Sequence, residues 1–430
     1  MPFHSHPHRS PSVSPAAARL RVLVVTTELP WPTSGGGRVR TVAQLRLLVG
    51  HPAVARVRVL AISEDPDEAA REAARRGLEA ATGCSVAPPL LHPVHVKAHP
   101  AFLPALAWER ARGRPYVAAK WDSAAVRARL AEELTGAPYD VVWLDHLGTM
   151  VFLDDVRRLA PRARVVLDEH NVETEFFSQL TARVPPWLRP VARWEENACR
   201  AFERAALEAA DAVVALSQAD AAAFRQLAGV DAALVPPMVV PRRRPFAAGA
   251  PAVCFVGALS WRPNAEGVTW LCDEVFPHVV AADPELRLLV CGALPAGPGG
   301  VRVPAAWRRP FVELCGFVPD LESVYRQSFA MVAPVVGGSG VRIKLLEGMG
   351  AGLPVLTNRD GAHGLPLRDG AEVLIEDDPR RFAQRLVALR RDATLAQRLT
   401  ESAYHYLERH HGPAAALGAL SRALGVPAGS

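Results

Sequence analysis

The chain has 430 residues, half of them hydrophobic and 22% charged, which suits a globular protein with two substantial cores and excludes a disordered one. Its formal charge of +5, from 49 basic and 44 acidic residues, permits contact with phosphates or an anionic surface without demanding it. No dense basic stripe with interleaved aromatics is present, so nucleic acid is not expected as a partner.

In chain order, residues 1–20 are rich in Pro, Ser and His and lack the apolar core of a signal peptide, so a disordered tail is expected. A first set of short apolar runs then begins: RVLVVTTE (21–28), ARVRVLAI (55–62), YDVVWLDH (139–146), ARVVLDEH (163–170) and ADAVVALS (210–217). Each is followed by a loop and an Ala/Arg/Leu-rich helical stretch. Continuous apolar strands alternating with helices predict a parallel sheet covered on both faces, here over 21–235. Loops that follow such strands at their carboxyl ends are where ligands bind. The first strand leads into Gly35, Gly36 and Gly37 and then a helix opened by Arg38. Small residues there let a backbone approach an anion at a helix start, although the spacing is neither a dinucleotide fingerprint nor a Walker motif. His146 and His170 end two later strands and are candidate contacts. Asp168 and Glu169 are read as solvated or capping carboxylates rather than as an acid–base pair.

The proline-rich stretch 236–250 reads as a hinge. A second set of runs follows: AVCFVGA (252–258), LRLLVCGA (286–293), VELCGFV (312–318), FAMVAPV (329–335) and LPVLTN (353–358). They predict a second parallel domain over 251–402, with a helical segment at 403–430 packing back towards the first domain. The stretch VVGGSGVRIKLLEGMGAGLPVLTN (335–358) places Gly337, Gly338, Ser339 and Gly340 before a helix expected from about Val341 to Gly350. Arg342 then falls where a cation is normally disfavoured, which points to a shared anionic partner. Glu347 lies roughly 7–8 Å further along the helix. A diphosphate at the helix start with a hydroxyl pair beyond it suits this spacing; the bland alternative is a surface Lys344–Glu347 pair.

This last stretch resembles the donor-site signature of family 4 glycosyltransferases, which have the two-domain GT-B fold. FVGALSWRPNAEGVTWL (255–271), VELCGFVPDLESVYRQSFAMVAPV (312–335), DAVVALSQAD (211–220) and RVVLDEHNVE (164–173) agree with it, so the resemblance covers about residues 21–405. It implies an α/β protein of two doubly wound Rossmann-like domains facing across a cleft. It also implies retaining, metal-independent transfer from a nucleotide diphosphate sugar, with no cofactor, to a glycan, lipid-linked or small-molecule acceptor. By the same resemblance Glu347 would hold the donor ribose, and Gly340, Val341, Arg342 and Lys344, with Gly338 and Ser339 in the same loop, would meet the diphosphate. Gly36 and Gly37 would approach those phosphates from across the cleft, Gly257 would end the first donor-domain strand, and His146 and His170 would reach the donor sugar. His146, His170, Arg342 and Lys344 are the candidate catalytic residues.

Three departures stand out. Ser339 occupies the place of the family's first motif glutamate, Ala258 stands where Arg is common with Arg262 nearby, and VPPMVV replaces the usual hinge turn. Ser339 and Ala258 keep open a catalytically retired nucleotide-sugar-binding scaffold, and the two-domain architecture also admits a nucleotide-sugar epimerase. His92, His95 and His99 have no acidic or cysteine frame and are read as structural. Trp187, Trp194 and Phe202 among arginines are read as a core-packed helix, the alternative being peripheral contact with an anionic membrane. Six dispersed cysteines without a CxxC pair suggest neither a disulfide framework nor zinc. No apolar window is long enough for a membrane span. A cytoplasmic protein is the resulting expectation, with association at the cytoplasmic face of a membrane as an open alternative.

Overall fold

The computed structural model describes residues 19–427, apart from Ser34, 93–101, Gly113, 245–249, 298–299, Arg302 and 338–339. In the first domain the strands are β1 (Leu20–Thr26), β2 (Val54–Ser63), β3 (Ser85–Val86), β4 (Leu90–Leu91), β5 (Val141–Asp145), β6 (Arg164–Asp168), β7 (Ala212–Ala215) and β8 (Ala233–Leu234). They form one parallel sheet in the order β3-β2-β1-β5-β6-β7-β8, with β4 also on β2. The second domain holds β9 (Ala252–Val256), β10 (Arg287–Cys291), a hairpin of β11 (Ala296–Gly297) and β12 (Gly300–Val301), β13 (Val312–Gly316), β14 (Ser328–Val332), β15 (Val355–Thr357) and β16 (Leu374–Ile375). Its parallel sheet runs β13-β10-β9-β14-β15-β16.

Alternation within each strand explains the unbroken apolar runs. Leu23, Val25, Val142, Leu144, Val165 and Leu167 enter one core, while Val22, Val24, Val141, Trp143 and Val166 enter another on the opposite face. The second sheet repeats this, with Val253, Phe255, Leu288 and Val290 on one face and Ala252, Cys254, Leu289 and Cys291 on the other. In each sheet the first strand lies inside the order, next to both β2 and β5 in one and both β10 and β14 in the other. Loops on either side of such a strand leave in opposite directions and open a crevice at the strand ends.

Two chain passages join the domains. Residues 235–244 leave the first sheet, and the helix Ala393–His410 packs Ala403, Tyr406 and Leu407 onto the second. At the crossing, His411 Nδ1 meets Pro237 O at 2.8 Å, and Val239 N donates to His411 O at 3.0 Å. The last helix, Pro413–Leu424, then buries Ala416, Ala419, Leu420, Ala423 and Leu424 against Val22 and Trp143 of the first domain. The helix Arg189–Ala209 docks on the first core through Cys199, Ala206 and Leu207, with Phe202 beside them, while Trp187 just before it is 76% exposed. Among the described residues no helix is long and apolar enough to cross a membrane.

Candidate functional site

Between the two sheets' carboxyl ends lies a cavity of about 350 Å³ with walls from both domains. Two helices begin at it, Gly36–Gly50 and Ile343–Gly350, and neither has a side-chain cap or an acidic residue in its first turn. Backbone donors at such starts favour an anion. The second helix starts two residues later than expected, so Arg342 is the residue before the helix rather than a member of its first turn.

On the second domain's wall, Gly257 follows β9 in a conformation of φ +159°, and a β-carbon there would stand 2.7 Å from Asn264 Nδ2. Asn264 is held by a bond from Nδ2 to Ala258 O at 2.9 Å, which turns its Oδ1 towards Lys344 Nζ at 2.7 Å. The Lys344 ammonium also lies 4.4 Å from the centre of the Phe255 ring. Burial, and then the charge of Arg342, push its pKa well below the ordinary lysine value. Arg342 itself is 5% exposed, stacks over Trp261 at 5.4 Å and donates to Gly337 O at 3.0 Å. Burial lowers its pKa to about 10, with Asp360 opposing. Glu347 faces the same cavity one turn below Lys344, and burial raises its carboxyl to about 7. Lys344 and Glu347 are half-buried cavity residues with no mutual ion pair, so the reading of them as a surface pair is not what folds.

On the first domain's wall, Gly36 faces Ile343, 3.9 Å from where a β-carbon would be, and Gly37 faces Glu28 Oε1 at 3.6 Å. Glu28 pairs with Arg38 at 2.8 Å. His146 follows β5 with φ +76°, the one non-glycine among the described residues at positive φ. Its amide donates to Asp168 O at 2.9 Å, its carbonyl accepts from Thr149 Oγ1 at 2.8 Å, and its ring lies 3.6 Å from that of His170. The strain at this strand end thus aims an imidazole into the cavity.

The two imidazoles are shifted in opposite directions. Burial, and then His170, push the His146 pKa down to about 3. For His170 burial also acts downward, but the Asp145 carboxylate, bonded to its Nε2 at 2.8 Å, prevails and raises it. Asp145 accepts in turn from Thr41 Oγ1 at 3.0 Å. Asp145, His146 and His170 bring their donor atoms within 4.8 Å of one another, and the His170–Asp145 bond occupies two of them. Asp168 is not solvated: it is fully buried between Arg40 at 3.2 Å and Trp143 Nε1 at 3.1 Å. Glu169 is 2% exposed, and burial, then Glu203 and Glu173, push its carboxyl well up.

The domains touch at the glycine loop before the second helix. Gly340 has φ +79°, and a β-carbon there would fall 2.3 Å from Asn171 Oδ1 of the first domain; at Gly337, with φ +69°, it would fall 2.0 Å from an Arg183 nitrogen. Val341 lines the cavity beside them. Gly338 and Ser339, like His95 and His99, lie outside the described residues. The fold thus brings Gly36, Gly37, His146, His170, Gly257, Val341, Arg342, Lys344 and Glu347 to one cavity, with Gly340 at its rim. Sequence reasoning passed over Arg40, Asp145, Trp261 and Asn264. Asp145 carried the signal of a strand end, whereas Arg40 and Asn264 lie near the starts of the helices Gly36–Gly50 and Arg262–Trp270, where no local pattern marks their partners.

Residues 250–392 match the family model described as Glycosyl transferases group 1. An uncharacterized 44.6 kDa protein in the cps region of Klebsiella pneumoniae is 22% identical over 163 residues, 37% of this chain and 42% of that protein. The matched part is thus about two-fifths of the curated relative's length. Among solved structures, Anabaena HepE in complex with UDP and glucose is 12% identical, covers 95% of this chain and 100% of its own, and has a TM-score of 0.63. Sucrose-phosphate synthase from Thermosynechococcus elongatus is 16% identical over 94% of this chain and 97% of its own, also at 0.63. WaaG, a glycosyltransferase involved in lipopolysaccharide biosynthesis, is 16% identical over 95% of this chain and 100% of its own, at 0.59. The likeness shows the fold: two parallel α/β domains in the GT-B arrangement.

Proposed function

We propose that the protein is a glycosyltransferase that moves a sugar from a nucleoside diphosphate sugar to a hydroxyl acceptor. One observation carries the reading. Two uncapped helix starts, the Arg342 guanidinium and the Lys344 ammonium converge on a cavity whose far end holds Glu347, and no carboxylate among the described residues pairs with Lys344. A diphosphate is the complement of the first part and a ribose diol of the second. The group 1 match over the second domain, and the UDP-glucose complex of Anabaena HepE, support the same donor class.

In this reading the bond from the anomeric carbon to the diphosphate oxygen breaks, and negative charge gathers on the leaving group. Arg342, Lys344 and the helix amides are already oriented towards that charge, so they stabilise the transition state more than the ground state. The acceptor hydroxyl enters from the same face, and its proton passes to the leaving diphosphate oxygen, which gives retention. His146, neutral at physiological pH, is placed to exchange hydrogen bonds with a sugar hydroxyl, and the His170 ring packs against its own. The acceptor is a glycan or lipid-linked molecule bound on the first-domain side. Exposed Trp187 and Val191 beside Arg189 and Arg193 favour contact with an anionic membrane on the cytoplasmic face.

The test is thermal stabilisation by UDP, GDP, ADP and CMP, with EDTA present, on wild type and Glu347→Ala. One nucleoside diphosphate raising the wild-type midpoint by several degrees, and not that of the variant, is the expected result. Silence with all four would instead support a scaffold that has lost its donor.

A further inference from the structure

The spacing of the cysteines gives no reason to pair any of them, yet the fold sets two thiols side by side at the cavity. Strands β10 and β13 are parallel neighbours whose register runs Val290 with Leu314 and then slips, so that Cys291 faces Gly316 and Cys315 is the extra residue at the irregularity. The two side chains share one face of the sheet and one apolar cluster. Cys291 is fully buried and lines the cavity, whereas Cys315 is partly exposed.

We propose that Cys291 and Cys315 form a reversible disulfide at the wall of the cavity, a modification site that couples oxidation to nucleotide binding. Neighbouring strands lie about 4.8 Å apart, within reach of the roughly 4.4–6.8 Å between Cα atoms that a disulfide bridges. Cys315 Sγ is directed at Glu313 O at 3.8 Å, and the neighbouring Cys291 lowers its pKa while burial and Glu313 act against it. Cys315, the more exposed of the two, is the nucleophile and Cys291 the resolving thiol. With hydrogen peroxide as oxidant, the Cys315 thiolate takes one oxygen to give a sulfenic acid, and hydroxide leaves as water. The Cys291 sulfur then attacks the Cys315 sulfur, the S–S bond forms, and a second water departs. Two electrons pass from the thiols to the peroxide.

The consequence for binding rests on the donor-site reading. Closing the bond draws the end of β13, with Phe317 and Val318 after it, towards Cys291 and Gly292, all four of which line the cavity. Cys254 provides the internal control. It lies on the same face, opposite Leu289, but is fully buried and directed at Ala330 O at 3.8 Å.

The experiment treats the full-length protein with hydrogen peroxide and identifies linked peptides by mass under non-reducing conditions. A Cys291–Cys315 linkage is expected, with loss of about 2 Da and of two of the six free thiols, reversed by dithiothreitol. It should vanish in Cys315→Ser and in Cys291→Ser, and persist in Cys254→Ser. Oxidation of Cys315 to a sulfinic acid without linkage, or linkage through Cys254 instead, would overturn the pair. Because linkage is read by mass, the result does not depend on whether the reduced chain binds UDP. For the coupling, UDP affinity should fall at least about tenfold in the linked protein and recover with dithiothreitol; equal affinities in the two forms would overturn it.

Discussion

Lys344 pairs with no carboxylate among the described residues, its ammonium resting on an amide oxygen and an aromatic face. Its pKa is depressed in the fold, so the charge opposes folding as pH falls through the folded pKa and ceases to do so above the ordinary lysine value. Lys344→Met is therefore expected to melt no lower than wild type at pH 7, while transfer falls about a hundredfold or more for want of the charge on the leaving group. Glu347 carries the opposite sign. Its pKa is raised from 4.5 to about 7, so the fold favours the protonated acid, an advantage present below pH 4.5 and lost as pH rises through 7. Glu347→Gln should gain stability over wild type at pH 8, by about 2 kcal/mol at most, and none at pH 5 in urea titrations. A ribose diol needs the carboxylate, so UDP affinity should rise with pH through 7 in wild type and stay flat in the glutamine variant. Glu347 and Lys344 were visible in the sequence because three-residue spacing after a glycine loop is a local pattern. The pairing of Arg40 with Asp168 was not, because it spans 128 residues.

Among elements, the glycine loop before Ile343–Gly350 fixes the separation of the two walls. Gly340 needs its left-handed conformation and also leaves room for Asn171 of the other domain. Gly340→Ala should cost about 1–2 kcal/mol in backbone strain. It should also push the walls apart, lowering transfer by about tenfold or more in steady-state kinetics. Adding Asn171→Gly removes the clash but not the strain, so the double variant should recover activity more than melting temperature. All ten strands expected from apolar runs are present, because buried parallel strands need both faces apolar and so announce themselves. The edge strands β3, β4, β8 and β16 and the β11–β12 hairpin, each strand two residues long, were not foreseen. Segments that short owe their pairing to a neighbour, not to their own composition.

In the whole molecule the last helix returns to the first domain, and His51 Nε2 meets Ser421 Oγ at 3.0 Å across 370 residues of sequence. Leu420 is fully buried there among first-domain residues. Leu420→Ala is expected to cost about 2–4 kcal/mol in urea unfolding, although it lies outside both sheets. The loss should appear in the transition of the first domain and leave a nucleotide-protected second domain to unfold in its own step.

The sequence by itself determined the two parallel sheets, the strand ends that carry the cavity, and the anion-seeking character of the loop and helix from 337 to 347. Each follows from side-chain alternation, glycine placement or helical spacing within a few residues. Tertiary structure decided everything that depends on two distant segments meeting. It set Arg40 on Asp168, raised the pKa of one histidine and depressed that of the other, placed Lys344 away from any carboxylate, and slipped β13 so that Cys315 stands beside Cys291. Charge state and contact across a fold are set by which groups share a desolvated volume, and no local pattern encodes that.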